Sequence, residues 1–220
     1  MDRGFTLAEV LVTLGIIGVV SAMTVPTLMQ NYQRKSSVTQ LHKVYNEFSQ
    51  ALLQYQNDKN ALNLTEAGLT STNAVDDFIK KYFKVVQECD TMTDCFADEY
   101  TTLQGTVDNS YEKNIKSFVI ASGVSIRPSY STDGSQFKLL NVGIDINGKS
   151  GPNILGRDFF FFAVYKNGQI DDYTNNTNDN APLSEDGRNN MFNTQCNAGA
   201  TGNSWGCFGK ILNDNWEMTY

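Results

Sequence analysis

Hydrophobic positions crowd the start of the chain and then settle into two different rhythms. Residues 10–33 (VLVTLGIIGVVSAMTVPTLMQNYQ) contain no charged side chain, and apolar residues fall on every face of a helix. Beyond Asn31 the pattern narrows. Val38, Leu41, Val44, Tyr45, Phe48, Ala51, Leu52 and Tyr55 recur at spacings of three and four, with Gln40, Lys43, Asn46, Gln50 and Gln54 on the other side. That period describes an amphipathic helix with one stripe to bury. No break separates the halves, so the pattern predicts one long helix over residues 5–57. At about 1.5 Å per residue its first 21 residues would measure about 31 Å, enough to cross the hydrocarbon core of a bilayer. Pro26 removes one backbone hydrogen bond and should kink the helix over residues 22–25. Gly15, Gly18 and Ala22 lie near one face, where small residues permit close approach of neighbouring helices, although glycine is also simply common in membrane helices. Arg34 and Lys35 follow at the level of phospholipid headgroups.

The rest of the chain reads as a second helix and then strands. Residues 57–72 are a polar connector. Thr72 or Asn73 can cap a helix over 74–86, with Asp76 and Asp77 in its first turn and Val75, Phe78, Ile79, Tyr82, Phe83 and Val86 on its apolar side. A β region opens at 111–115. Residues 117–126 (SFVIASGVSI) and 137–146 (FKLLNVGIDI) are strands separated by Pro128 and an Asp133-Gly134 turn, a hairpin signal. Residues 158–165 (DFFFFAVY) give a third strand, ended by Asn167-Gly168, and 169–173 return as a fourth. Phe160 and Phe162 would face one side and Phe159 and Phe161 the other, so this strand needs a helix over one face and a loop or neighbour over the other. Residues 171–190 are polar and acidic, a surface loop, whereas the tail carries Trp216, Met218 and Tyr220 and should dock. A long helix followed by an antiparallel sheet is an α+β arrangement.

Composition narrows the function classes. The 220 residues suffice for one membrane-spanning helix and one globular domain. A net charge of −7 leaves no footprint for nucleic acid and keeps an exposed domain soluble. There is no Gly-x-Ser-x-Gly, phosphate loop or metal-ligand cluster, and with His42 as the only histidine a Ser–His or Cys–His pair has almost nothing to draw on. No enzymatic role is expected, and His42 should occupy a solvated position on the helix. Cys89 and Cys95, and Cys196 and Cys207, flank short loops without any C-x-x-C, which fits two disulfides in an oxidising compartment better than zinc. Four cysteines allow two other pairings, which the sequence leaves open.

The oddity is Glu9, an acid at the start of the apolar segment, where a carboxylate is expensive and a partner must be found. An ordinary signal peptide, cut after Val20-Ser21-Ala22, leaves Glu9 interrupting its apolar centre, and a plain anchor leaves it unexplained. If the chain is instead cut after Gly4, Phe5 carries a new α-amino group one helical turn from Glu9, and the carboxylate can meet that amine or a neighbouring chain's. Gly4-Phe5-Thr6-Leu7-Ala8-Glu9-Val10-Leu11-Val12 resembles the processing site of type IV prepilins and type II secretion pseudopilins, with Gly18 and Pro26 where that family has a helix-loosening glycine and a kinking proline. The resemblance covers residues 1–35. It implies cleavage after Gly4 by a prepilin peptidase, N-methylation of Phe5, and assembly directed by Glu9. It implies a pilin fold divided into a leader at 1–4, a membrane and assembly helix at 5–33, and a head at 34–220.

The loop 145–158 (DINGKSGPNILGRD) is similar to a DxNG…GPNxxGxD loop of pseudopilin-like proteins. Asp145, Asn147 and Asp158 are calcium candidates, since hard cations want clustered oxygens. The preferred reading is a turn in which Asp145 and Asp158 bond backbone amides, because the spacing lacks the full set of an EF-hand. No cofactor is then required. The partners implied are other pilin or pseudopilin subunits, the peptidase, a membrane assembly platform and membrane lipid. The expected precursor is a single-pass protein of the bacterial inner membrane with a cytoplasmic N-terminus, its head periplasmic or on a surface filament. The competing reading is a membrane-anchored or secreted binding protein that never polymerises.

Overall fold

One helix, α1 (Leu7–Asp58), runs almost the whole stretch expected to be helical, and its backbone stays helical through Pro26. The computed structural model of the protein describes residues 6–108, 110–197 and 205–220. The chain divides into two compact units, Met1–Ser36 and Ser37–Tyr220. In the second unit the buried positions of α1 are Val38, Leu41, Val44, Phe48, Ala51, Leu52 and Tyr55, the stripe that the spacing of three and four sets out.

Helix α2 (Thr72–Tyr82) begins earlier and ends earlier than expected. The cap is Ser71, whose hydroxyl accepts from the Ala74 amide, rather than Thr72 or Asn73. Phe83 is extended, and the chain continues into strand β1 (Val85–Cys89) instead of a last helical turn. Cross-strand pairing decides this. Val85 pairs with Ile120 and Cys89 with Ser117, which leaves Val86 exposed rather than on a buried helix face. A short helix, α3 (Met92–Cys95), follows.

The sheet is a six-stranded antiparallel meander in sequence order, adding β2 (Ser117–Ile120), β3 (Ser125–Tyr130), β4 (Lys138–Asp145), β5 (Phe159–Tyr165) and β6 (Ile170–Asp171). The single strand expected over 117–126 is two strands, folded back at Gly123, whose φ of 85° is open to glycine. Pro128 lies inside β3 rather than in a turn. It pairs with Val142 of β4 beyond the last residue β2 covers, where a missing N–H is tolerated. Asp133 and Gly134 both have positive φ, 47° and 77°, as a tight strand reversal demands.

The two faces of β5 are covered differently. Phe160 and Phe162 pack with the α1 stripe, with Phe162 and Phe48 edge-on at 5.3 Å between ring centroids. Phe159 and Phe161 meet Phe96, Tyr100, Tyr111 and Trp205, so irregular chain forms the second layer. The connector at 57–72 also enters the core, because Leu64 and Leu69 are fully buried and the Leu64 amide donates to the Lys166 carbonyl.

Residues 171–190 correct the surface-loop expectation. Asp171 and Asp172 are 1% and 0% exposed. Arg188, on helix α4 (Glu185–Met191), donates to both Asp171 oxygens at 2.8 and 2.6 Å. The Asp172 carboxylate accepts from the Gly206 and Gly209 amides at 2.9 and 2.5 Å, at the start of helix α5 (Cys207–Asn213). Acidic residues that look solvated are therefore a buried counter-ion and a helix cap. Disulfides join Cys89 to Cys95 and Cys196 to Cys207, the latter tying a π-helical turn (Phe192–Cys196) to α5. The tail docks, with Met218 buried and the Tyr220 hydroxyl donating to the Gly156 carbonyl. Trp216 also explains why His42 is not freely solvated, for their rings stack with centroids 4.0 Å apart.

Candidate processing and assembly site

Thr6 and Glu9 close the first turn of α1 on each other. The Thr6 amide and hydroxyl each donate to Glu9 Oε2 at 2.8 Å, and the Glu9 amide donates back to Thr6 Oγ1 at 3.2 Å. This reciprocal pair is a capping box, which satisfies backbone donors that a helix start otherwise leaves bare. The Thr-x-x-Glu spacing announces it in the sequence, a local signal separate from the charge that makes Glu9 conspicuous. Glu9 thus has a structural task within its own chain besides any task between chains. Gly4 and Phe5, the expected cleavage and methylation residues, lie outside the described residues.

Past this turn the helix presents hydrocarbon in all directions. Leu11, Val12, Leu14, Ile16, Ile17 and Met23 are each more than half exposed, as are Leu28 and Tyr32 further along. Among the described residues α1 is the one helix long and apolar enough to cross a membrane, and none of its apolar window is buried. Two of its hydroxyls are satisfied by the helix itself: Thr13 donates to the Glu9 and Val10 carbonyls and Thr24 to the Val20 carbonyl, all at 2.9 Å. At Gly15 and Gly18, apart from the adjacent helix backbone, no atom of the described residues lies within 4 Å of where a Cβ would stand, so neither glycine is required by a packing contact among them. A continuous apolar surface of this kind is stable only against lipid or against other helices.

The 145–158 loop holds its acids in turn-closing roles. Asp145 accepts from the Asn147 amide at 3.1 Å and from the Tyr100 hydroxyl. Both Asp158 oxygens accept backbone amides, from Asn153 at 2.7 Å and Ile154 at 2.6 Å. A calcium ion would have to compete with these donors for the same lone pairs. Among the described residues no group of three or more His, Cys, Asp or Glu side chains is placed to hold a metal. Burial pushes the Asp145 carboxyl up to about 7 and raises Asp158 as well.

No curated protein and no solved structure matches the chain. Residues 1–25 match the family model described as the prokaryotic N-terminal methylation motif, the signature of type IV pilin and pseudopilin prepilin-type cleavage, and this supports a pilin-like subunit processed at its N-terminus.

Proposed function

We propose that the chain is a structural, non-enzymatic subunit of a type IV pilus-like or type II secretion pseudopilus filament. The precursor sits in the inner membrane through the apolar half of α1, with its head periplasmic. A prepilin peptidase cuts after Gly4, Phe5 is N-methylated, and the mature helix joins other pilin or pseudopilin helices on a membrane assembly platform. One observation carries this reading: the methylation motif at 1–25 leads into a helix that is exposed and apolar on all sides and bears a single carboxylate, Glu9, in its first turn. In a bundle of such helices a carboxylate and an N-terminal amine offset each other's burial, and their pairing fixes the axial register of each entering subunit. Two disulfides fit a head folded in an oxidising compartment.

The test is the mature N-terminus, read by mass spectrometry on chain recovered from membranes. The expected species begins at Phe5 with a methylated amine, and Gly4→Val should accumulate as full-length precursor, because a side chain at Gly4 obstructs a narrow protease site. A mature chain beginning at Met23 would instead mark ordinary secretion and favour a non-polymerising binding protein.

A further inference from the structure

On the sheet face opposite α1, a cavity of about 490 Å³ opens beside β3, a volume suited to a small ligand. Register explains its shape. Arg127 of β3, Gly143 of β4 and Phe161 of β5 stand in one row across three strands. The middle position has no side chain, and a Cβ there would come within 3.0–3.1 Å of the Phe159 and Phe161 rings. Those rings fill the space over Gly143, and the Arg127 guanidinium carbon stands 5.8 Å from the Phe161 ring centroid. Three more rings complete the walls, Trp205 at 5.0 Å from both Phe161 and Tyr173, and Tyr111 at 5.7 Å from Phe161. Ser129, Asn141, Asn175 and Gln195 also line the cavity, with the Asn141 amide already bonded to Lys138 and Asp133 and the Asn175 amide to Met191.

Arg127 is the unusual member. It is 5% exposed, and the one hydrogen bond its side chain makes among the described residues is from Nε to the Glu112 carbonyl at 2.8 Å. Among those residues no carboxylate forms an ion pair with it. Burial lowers its pKa to about 10, so it remains a cation at neutral pH. The Glu112 charge offsets part of that burial without a direct ion pair, and the guanidinium keeps donors whose fork geometry matches a carboxylate. Two acids also line the cavity, Asp133 and the Glu112 whose charge acts on Arg127. Asp133 is paired with Lys138, and a Glu112 oxygen accepts from the Asn114 amide.

We propose that this cavity binds a saccharide unit bearing a carboxylate, of the uronic-acid class. The carboxylate takes the Arg127 donors, the apolar edge of the pyranose meets the cavity-lining Tyr173 and Trp205, and the ring hydroxyls meet the polar rim. This inference is independent of filament assembly.

The test is calorimetric titration of the full chain in detergent with uronic-acid oligosaccharides and with neutral oligosaccharides of the same ring. The acidic sugar should bind, and the neutral one should bind at least about ten-fold more weakly, the loss expected when a charge-assisted pair is absent. Arg127→Lys should weaken the acidic sugar by a similar factor, and Asn175→Ala, at an exposed rim position, should weaken both sugars without touching the fold. Absence of uronate binding to the parent chain, equal binding of the neutral sugar, or full displacement by benzoate would each overturn the assignment. Should Arg127→Lys fail to fold, the comparison of acidic and neutral sugars on the parent chain and on Asn175→Ala still decides.

Discussion

At the scale of single residues, Glu9 joins two kinds of physics that one substitution can separate. Its carboxylate closes a capping box with Thr6, and glutamine preserves that role because it keeps an acceptor oxygen of the same reach. Glutamine cannot neutralise an amine. Glu9→Gln should therefore be cleaved and keep its helix start, yet be depleted from sheared filaments, while Glu9→Ala also loses a cap contribution of about 1 kcal/mol. Equal incorporation of Glu9→Gln and parent chain, measured by quantitative immunoblot of the filament fraction, would mean that helix packing alone sets the register. Glu9 stood out in the sequence because a charge inside an apolar run is locally anomalous. Arg127 did not, because it falls just past the expected strand, next to Pro128, and is ordinary until cross-strand pairing sets it against Gly143 and Phe161.

At the scale of elements, the contact between the residue after β6 and the start of α5 turns on Asp172. Burial pushes its carboxyl up to about 7 from an ordinary 3.8, against the amides of Gly209, Gly206 and Tyr173, which favour the anion, while neighbouring Asp171, itself paired with Arg188, adds to the rise. The folded state therefore holds the proton more tightly than the unfolded chain between about pH 4 and pH 7. Asp172's contribution to stability is greatest below that window and declines as pH rises through it, each unit of displacement corresponding to about 1.4 kcal/mol. Asp172→Asn removes the titration but presents an amide to N–H donors, so it should be less stable than the parent at pH 5, with the gap narrowing by pH 8. Urea midpoints of both proteins at the two pH values check this, and a gap that widens would contradict it. Residues 171–190 were misleading in the sequence for the same reason. Their composition is that of a solvated loop, and only the arrival of Arg188 and the α5 amides turns two of those acids into buried groups.

At the scale of the molecule, the head depends on aromatic packing on both faces of β5. Phe162→Ala, which removes a ring fully buried against Phe48, should cost about 3–5 kcal/mol of head stability. Cleavage of the precursor should be unaffected, because the motif at 1–25 lies in the other compact unit. Denaturant unfolding followed by near-ultraviolet dichroism, with N-terminal mass measured in parallel, separates the two effects, and loss of cleavage in the variant would show that the units are coupled. What the sequence by itself determined was whatever is encoded by local period and spacing. That covers the long helix with its apolar and one-striped halves, the antiparallel strands, the opposite facing of Phe160/Phe162 and Phe159/Phe161, and the motif in front of Glu9. Only the tertiary structure decided that the helix expected to reach 86 stops at Tyr82 and that 85–89 form a strand, that Asp171 and Asp172 are buried, and that Arg127 borders a cavity. These outcomes depend on hydrogen bonding and desolvation between segments far apart in the chain, energies that no local hydrophobic period records.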